Sequence, residues 1–285
     1  MIEDETQYGA VKNSNTTCAL LAALHPIFEG LDDGKHFARI LLVDFSKAFD
    51  HIDHETVLQK LTANGVDEFL VRWFRGFLTE RKQRVVIEQL QSEWRQINGG
   101  VPQGTLSGPQ LFVNMVSDLK TLLPTIKYVD DTTIVEVVTH NSPSLLQTAL
   151  NTIVSWSRTN KLYLNAAKTK ELRIDFRRAP PPLDPLTIDG TDIEVVSSAK
   201  LLGVTISCDL KWELHISNIH AKASSPPPTE TGWIIPKTIT SSIPDINMPS
   251  HRICMSSVVI KHYSEGLKFV RIHSEKSWEN NCTKQ

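Results

Sequence analysis

The chain has 285 residues, 40% of them apolar and 22% charged, enough to bury one large core or two ordinary ones. With 30 Lys and Arg against 32 Asp and Glu the formal charge is −2, which excludes a global basic field, though local cationic patches can still hold nucleic acid. No run approaches the ~18 apolar residues of a membrane helix, "MIEDETQYGA" lacks the basic-then-apolar order of a signal peptide, and Cys18, Cys208, Cys254 and Cys282 are too scattered for a zinc knuckle or a disulfide framework, so a reducing compartment is expected.

Leu20, Leu21, Leu24 and Ile27 have helical spacing, which predicts a helix over 15–28 capped at Thr16 or Thr17. "RILLVDF" reads as a buried strand, because residues 40–43 are short and continuously apolar. A second helix is expected from His54, with Asp53 as its cap, Val57, Leu58 and Leu61 as its stripe, and Gly65 as its end. Next come a short aromatic helix, a basic stretch, a strand near 85–87 and a return near 94–97, after which Gly99, Gly100, Pro102 and Gly104 force a loop. From Pro109 a helix is expected through Leu111, Met115, Leu119 and Leu122. Strands over 126–128 and 133–138 enclose Asp130 and Asp131, and alternation puts Tyr128 and Asp130 on one face with Val129 on the other. A helix through Leu145, Leu146, Ala149, Ile153 and Trp156 follows. Beyond it lie a strand over 171–176, a surface connection over 180–185, a small hairpin around Gly190 and a short strand over 201–206. Past Ala223 the prolines and serines have no periodicity, apart from a strand at 258–260. The reliable domain is therefore expected over 1–222, with 223–285 irregular.

Three carboxylates stand out. Asp44 ends a buried strand, and Asp130 and Asp131 sit where one strand gives way to the next. If the 40–43 strand lies beside that hairpin, Asp44 and Asp130 approach each other, and like charges that close need a cation. Two magnesium ions held this way suit phosphoryl or nucleotidyl transfer. Alternatively, the Asp pair is only the polar turn of a hairpin and Asp44 only caps a strand exit. Spacing leaves both readings open.

"LLVDFSKAFDHID", "GGVPQGTLSGPQLF", "YVDDTT", "LNAAKTK" and "KLLGV" follow one another along the chain. In this order they resemble the motifs of the reverse transcriptase domain of non-LTR retrotransposons, of the jockey-like or LINE type. The resemblance spans roughly 7–223. It implies an α+β polymerase palm, with an antiparallel sheet and packed helices, that performs RNA-directed DNA synthesis. It implies an RNA template, a DNA primer and deoxynucleoside triphosphates as partners, two Mg²⁺ ions as cofactor, and no membrane. Asp44, Asp130 and Asp131 match the catalytic triad, with Asp44 and Asp130 as the main ligands of both ions and Asp131 in support. The carbonyl of Phe45 would complete a metal shell. Phe49 would lie under the incoming sugar and exclude a 2′-hydroxyl; read without the family, it is core packing beside Ala48. Gln103 and Gly104 match the loop at the templating base and nucleotide, and Lys168 or Lys170 the cation that neutralises pyrophosphate. Leu202 and Gly203 lie in the stretch matching the hairpin that positions the primer. Arg81, Lys82 and Arg84, the densest basic group of the first half, would touch template backbone or simply form a solvated face.

The sequence also departs from the family. Further fingers elements, including a basic residue that grips the triphosphate, are expected ahead of "QYG". Ser107 stands where a larger apolar residue usually precedes Gly-Pro, and a basic helical thumb is expected after Ala223. The resemblance therefore implies partial fingers and a thumb that is missing or degenerate. The chain is expected to polymerise poorly or not at all; the alternative is an inactive remnant that at most binds nucleic acid.

Overall fold

A five-stranded sheet organises the molecule. The computed structural model of the chain describes residues 4–32, 34, 36–87, 89–102, 104–140, 142–177, 183–224, 254–263 and 266–276, the last two stretches as backbone alone. The first half contains α1 (Thr16–Leu31), β1 (His36–Val43), α2 (His54–Ala63), α3 (Glu68–Leu78), β2 (Arg81–Ile87), β3 (Leu90–Gln91), β4 (Arg95–Ile97) and α4 (Ser107–Met115). Then come β5 (Thr125–Tyr128), β6 (Asp131–Thr139), α5 (Leu146–Thr159), β7 (Lys170–Ile174), β8 (Thr187–Ile188), β9 (Thr191–Asp192) and β10 (Glu194–Val196). The chain continues through β11 (Ser198–Leu201), β12 (Val204–Ser207), α6 (Glu213–Ser224), β13 (Cys254–Tyr263) and β14 (Gly266–Lys276). This is the expected α+β mixture, and among the described residues no helix is long and apolar enough to cross a membrane.

The main sheet runs β10-β7-β1-β6-β5, antiparallel except for the β10–β7 pair. β1 is its centre and pairs with β6 along its whole length, from His36↔Thr139 to Val43↔Thr132. Its apolar run is continuous because both faces are covered. Ala38 and Ile40 pack towards Ala19, Ala23 and Ile27 of α1, joined by Leu201 and Ile206 of the β11–β12 hairpin. Leu41 and Val43 belong to the opposite core, built with α2, α4 and α5. Each such fully buried leucine or isoleucine contributes about 1.5–3 kcal/mol.

A polar row crosses this sheet. Arg39 stands opposite Glu136 on β6 and Arg173 on β7. Its Nε donates to Glu171 Oε1 at 2.6 Å and its Nη1 to Ser144 Oγ at 2.7 Å. Arg173 donates to both Glu171 oxygens, at 2.8 and 3.0 Å. Glu136 accepts from Ser144 Oγ and from the Leu145 N–H at the start of α5. Arg39, Glu136 and Glu171 are all buried.

Several boundaries differ from expectation for physical reasons. Asn15, not a threonine, caps α1, its Oδ1 accepting the Cys18 N–H at 3.1 Å. Asp53 caps α2 as expected, and Gly65 leaves that helix at φ +73. α4 stops at Met115 rather than running to Leu122. The buried Lys127 ammonium takes the carbonyls of Val116 and Leu119, at 2.8 and 3.0 Å, and so satisfies groups that a longer helix would have used. Residues 201–206 are not one strand but parts of a hairpin that turns at Leu202 and Gly203, whose φ values are +47 and +94. Both central residues at positive φ is the pattern of a tight two-residue hairpin turn.

Residues 180–182 of the expected 180–185 connection and most of the proline-rich stretch after 224 lie outside the described residues. Residues 254–276, expected to be irregular except at 258–260, hold the paired strands β13 and β14, and β14 adds to β2 from Arg271↔Val86 to Lys276↔Arg81.

Candidate active site

β1 delivers Asp44 to the end of the sheet. Its neighbour there is β6, and Val43 stands opposite Thr132, so Asp44 leaves the strand beside Asp131. The adjacency on which the metal reading depends is therefore present. Both backbone groups of Asp44 are tied down: its N–H donates to Thr169 Oγ1 at 3.2 Å, and its carbonyl accepts the Asn165 N–H at 2.8 Å. The "LNAAKTK" stretch thus fastens the first carboxylate.

Tyr128 pairs with Asp131, which closes a two-residue loop of Val129 and Asp130 between β5 and β6. Asp130 therefore sits in the turn, and the expected strand alternation of Tyr128, Val129 and Asp130 does not hold, because the chain reverses there. Val129 has φ +58, a conformation β-branched residues rarely adopt.

The three charges sense one another. Burial pushes the Asp130 carboxyl up, against a hydrogen bond from its own N–H that lowers it, and the charge of Asp44 pushes it further. Asp131 is pushed up by burial, then by Asp130 and Asp44. Both side chains still reach solvent, so an ion has access. Among the described residues no three acidic, His or Cys side chains are drawn together as a finished coordination shell. The donor set nevertheless fits a hard divalent cation: all the ligands are carboxylate oxygens, and their mutual repulsion is what such a cation relieves.

The Gly-rich loop is pinned to the turn after Asp44. Gly100 N–H donates to Ile52 O at 2.7 Å, Val101 N–H donates to Phe49 O at 2.9 Å, and Asp53 bridges Gly99. His54 Nε2 lies 2.7 Å from Gly100 O, and since a carbonyl only accepts, that nitrogen carries the proton. Gly100 has φ +78, and a Cβ there would meet Asp50 O at 2.8 Å. Gly100→Ala is expected to cost about 1–3 kcal/mol, measured as the drop in stability on urea unfolding. Gly104, at φ +79 with nothing near a Cβ, needs glycine for its backbone alone. Gln103 lies outside the described residues.

The other candidates separate. The Phe45 ring is buried, edge-on to Trp156 at 6.2 Å, which leaves only its backbone for a site. Phe49 is half-buried and packs on Phe112 of α4 at 5.1 Å. Lys170 is paired with Glu194 and donates to Ala167 O, whereas Lys168 is exposed and has no carboxylate partner among the described residues. Arg81, Lys82 and Arg84 do not form one patch: strand alternation puts Lys82 and Arg84 on one face of β2 and Arg81 on the other. Arg81 is buried, Lys82 is exposed, and the Arg84 guanidinium lies over Trp94 at 4.7 Å. Leu202 and Gly203 form a hairpin tip, with the Leu202 side chain packed on the core. The positioning contacts of His54, Thr169 and Gln7 (Gln7 Oε1 accepts the Val129 N–H at 3.0 Å) were not foreseen. A lone polar residue in a loop or at the first position of a helix has no periodicity that would mark it.

Residues 3–206 match the family described as reverse transcriptase (RNA-dependent DNA polymerase). The chain is 25% identical over 227 residues to the probable RNA-directed DNA polymerase from transposon BS of Drosophila melanogaster, covering 74% of this chain and 24% of that protein. It is 28% identical over 203 residues to the RNA-directed DNA polymerase from mobile element jockey of the same species, covering 66% and 21%. The chain thus spans less than a quarter of the length of these relatives. A telomerase from Candida tropicalis, solved with a fragment of telomeric RNA, aligns at TM-score 0.49 and 12% identity over 73% of this chain and 34% of that one. The family match takes in the whole main sheet, both aspartate-bearing segments and the loop pinned between them, and on it the chain belongs to the reverse transcriptase family.

Proposed function

We propose that this chain carries the palm of an RNA-directed DNA polymerase, adding deoxynucleotides to a primer 3′-hydroxyl along an RNA template. The observation that supports this best is Asp44, fixed through both backbone groups at the exit of the central strand, directly beside the Asp130–Asp131 hairpin. Asp44 and Asp130 would hold two Mg²⁺ ions, with Asp131 in support and the Phe45 carbonyl as a further oxygen donor. When bound, the ions supply a lower pKa at the attacking hydroxyl and neutralise charge on the triphosphate.

The remaining roles belong to the chain's own residues. The Gly99–Gly104 loop, with Gln103, would position the templating base and the nucleotide against the Asp44 turn. Lys168, the unpaired one of the two candidate lysines among the described residues, would meet the pyrophosphate. Leu202 and Gly203 would guide the primer. Of the basic strand, the exposed Lys82 would touch phosphate. The ring of Phe49 would crowd a 2′-hydroxyl. Phe49→Val, which retains part of the packing on Phe112, is expected to raise ribonucleotide incorporation about tenfold relative to deoxynucleotide, the equivalent of ~1.4 kcal/mol of discrimination. Single-nucleotide extension with each triphosphate measures the ratio.

Incubating the purified chain with a poly(rA)–oligo(dT) primer, dTTP and Mg²⁺ tests the whole reading. Slow extension that EDTA abolishes is expected, in keeping with the partial fingers and thumb. Duplex binding with no extension would instead favour an inactive remnant that only binds nucleic acid.

A further inference from the structure

The turn that carries Asp130 is held from outside the sheet. β5 is an edge strand, and the segment from Asp4 to Gly9 lies along its free side. Lys127 N–H donates to Thr6 O and Tyr8 N–H donates to Lys127 O, each at 2.8 Å, with Gln7 bridging Lys127 in parallel. A buried ion pair between Asp4 and Lys127, at 2.7 Å, anchors the start of the segment. From this base the Gln7 side chain, in a residue only 4% exposed, reaches the turn.

Gln7 Oε1 accepts two N–H groups, from Gly9 at 2.8 Å and from Val129 at 3.0 Å. These two donors fix which end of the amide faces the turn. The other end, Nε2, is buried without a hydrogen-bond partner among the described residues. An unpaired buried amide nitrogen is unfavourable, so an apolar residue would serve better if packing were the only requirement. The oxygen is what the position uses. Gly9 completes the contact: a Cβ there would lie 2.6 Å from the Val129 nitrogen and 2.7 Å from its Cγ2.

We propose that Gln7 is a positioning residue for the metal site: its buried amide oxygen, steadied by the Gly9 N–H, holds Val129 in its left-handed conformation and thereby sets where Asp130 stands. This rests on the polymerase reading of Asp130. A side chain from the N-terminal segment would then govern how tightly the aspartates bind a divalent cation, without touching the ion or the substrate.

Mn²⁺ binding to the full chain, followed by electron paramagnetic resonance, tests this without requiring turnover. Wild type is expected to bind Mn²⁺ in a manner that Asp130→Ala abolishes. Gln7→Met, matched in size but lacking the acceptor, is expected to weaken binding at least tenfold while unfolding remains cooperative. Val129→Gly removes the steric objection to positive φ. In that background Gln7→Met is expected to weaken binding less than threefold. Equal loss in both backgrounds, or none in either, overturns the proposal. If Gln7→Met does not fold, Gly9→Ala carries the same test, since its methyl presses on the Val129 nitrogen with Gln7 intact: a tenfold loss supports the proposal and unchanged binding overturns it. If wild type shows no Asp130-dependent binding at all, the polymerase reading of the site fails, and this inference with it. Asp130-dependent binding that is indifferent to Gln7 and Gly9 sinks the inference alone.

Discussion

Asp130→Asn is expected to lower primer extension by about 10³-fold or more while leaving the fold slightly more stable. The change is nearly isosteric, so packing is retained. What it removes is a negative charge that the two ions require, and several kcal/mol of lost charge stabilisation corresponds to roughly three powers of ten in rate. The stability effect has the opposite sign. Burial and the nearby Asp44 both push the Asp130 carboxyl up, so its charged form is disfavoured without metal, and a neutral amide relieves that. The gain should be small, under ~1 kcal/mol, because the side chain also reaches solvent. Single-turnover extension and metal-free thermal unfolding measure the two halves separately. Full extension by Asp130→Asn would remove Asp130 from the reacting centre, whatever happened to stability.

The second large effect is on stability alone. Glu171→Gln is expected to destabilise the chain by about 3–5 kcal/mol, because it leaves the buried Arg39 without its charge partner. Natural domains have only about 5–15 kcal/mol in hand, so this is a substantial share. The same residue sets a pH dependence. Burial alone would push the Glu171 carboxyl up, but hydrogen bonds from Arg173 and Arg39, with their charges, outweigh it and hold it below the ordinary glutamate range. A folded value below the unfolded one means that the contribution is present above the unfolded pKa of about 4.3 and is lost as pH falls through the folded value. Urea unfolding at pH 7 and at pH 3.5 should show wild type losing this stability with acid, and Glu171→Gln losing correspondingly less. Equal acid sensitivity in the two proteins would show that the arginine pairing does not stabilise the sheet.

The sequence announces Asp44 and the Asp130–Asp131 pair because each interrupts a short β-branched or aliphatic run, where a charge is conspicuous. Their meeting is not legible in that way. The pairing of β1 with β6 joins segments about 95 residues apart, and register between such strands is set by which faces are buried on packing. The end of α4 shows the same limit. Leu119 and Leu122 continue the helical spacing, yet Lys127, from a different element, claims the carbonyls where the helix stops. Arg81, Lys82 and Arg84 look like a cluster in text because three cations fall within four positions, but in a strand Arg81 faces away from Lys82 and Arg84, which share the other face. Gln7 sits in a segment without periodicity, so its reach to Val129 exists only in the folded chain.

The central position of β1 also bears on how the protein is made. β1 is complete at Val43, but the partner on one side ends at Thr139 and the partner on the other begins at Lys170. At ribosomal speeds of about 5–20 residues per second, this apolar strand emerges roughly 5–20 seconds before β6 exists to pair with it, and β7 comes later still. An unpaired apolar strand is a template for association with other chains. The element that holds Asp44 so firmly in the finished fold is therefore the one most exposed during translation, and soluble yield should depend strongly on synthesis rate and on chaperones that cover the first 140 residues.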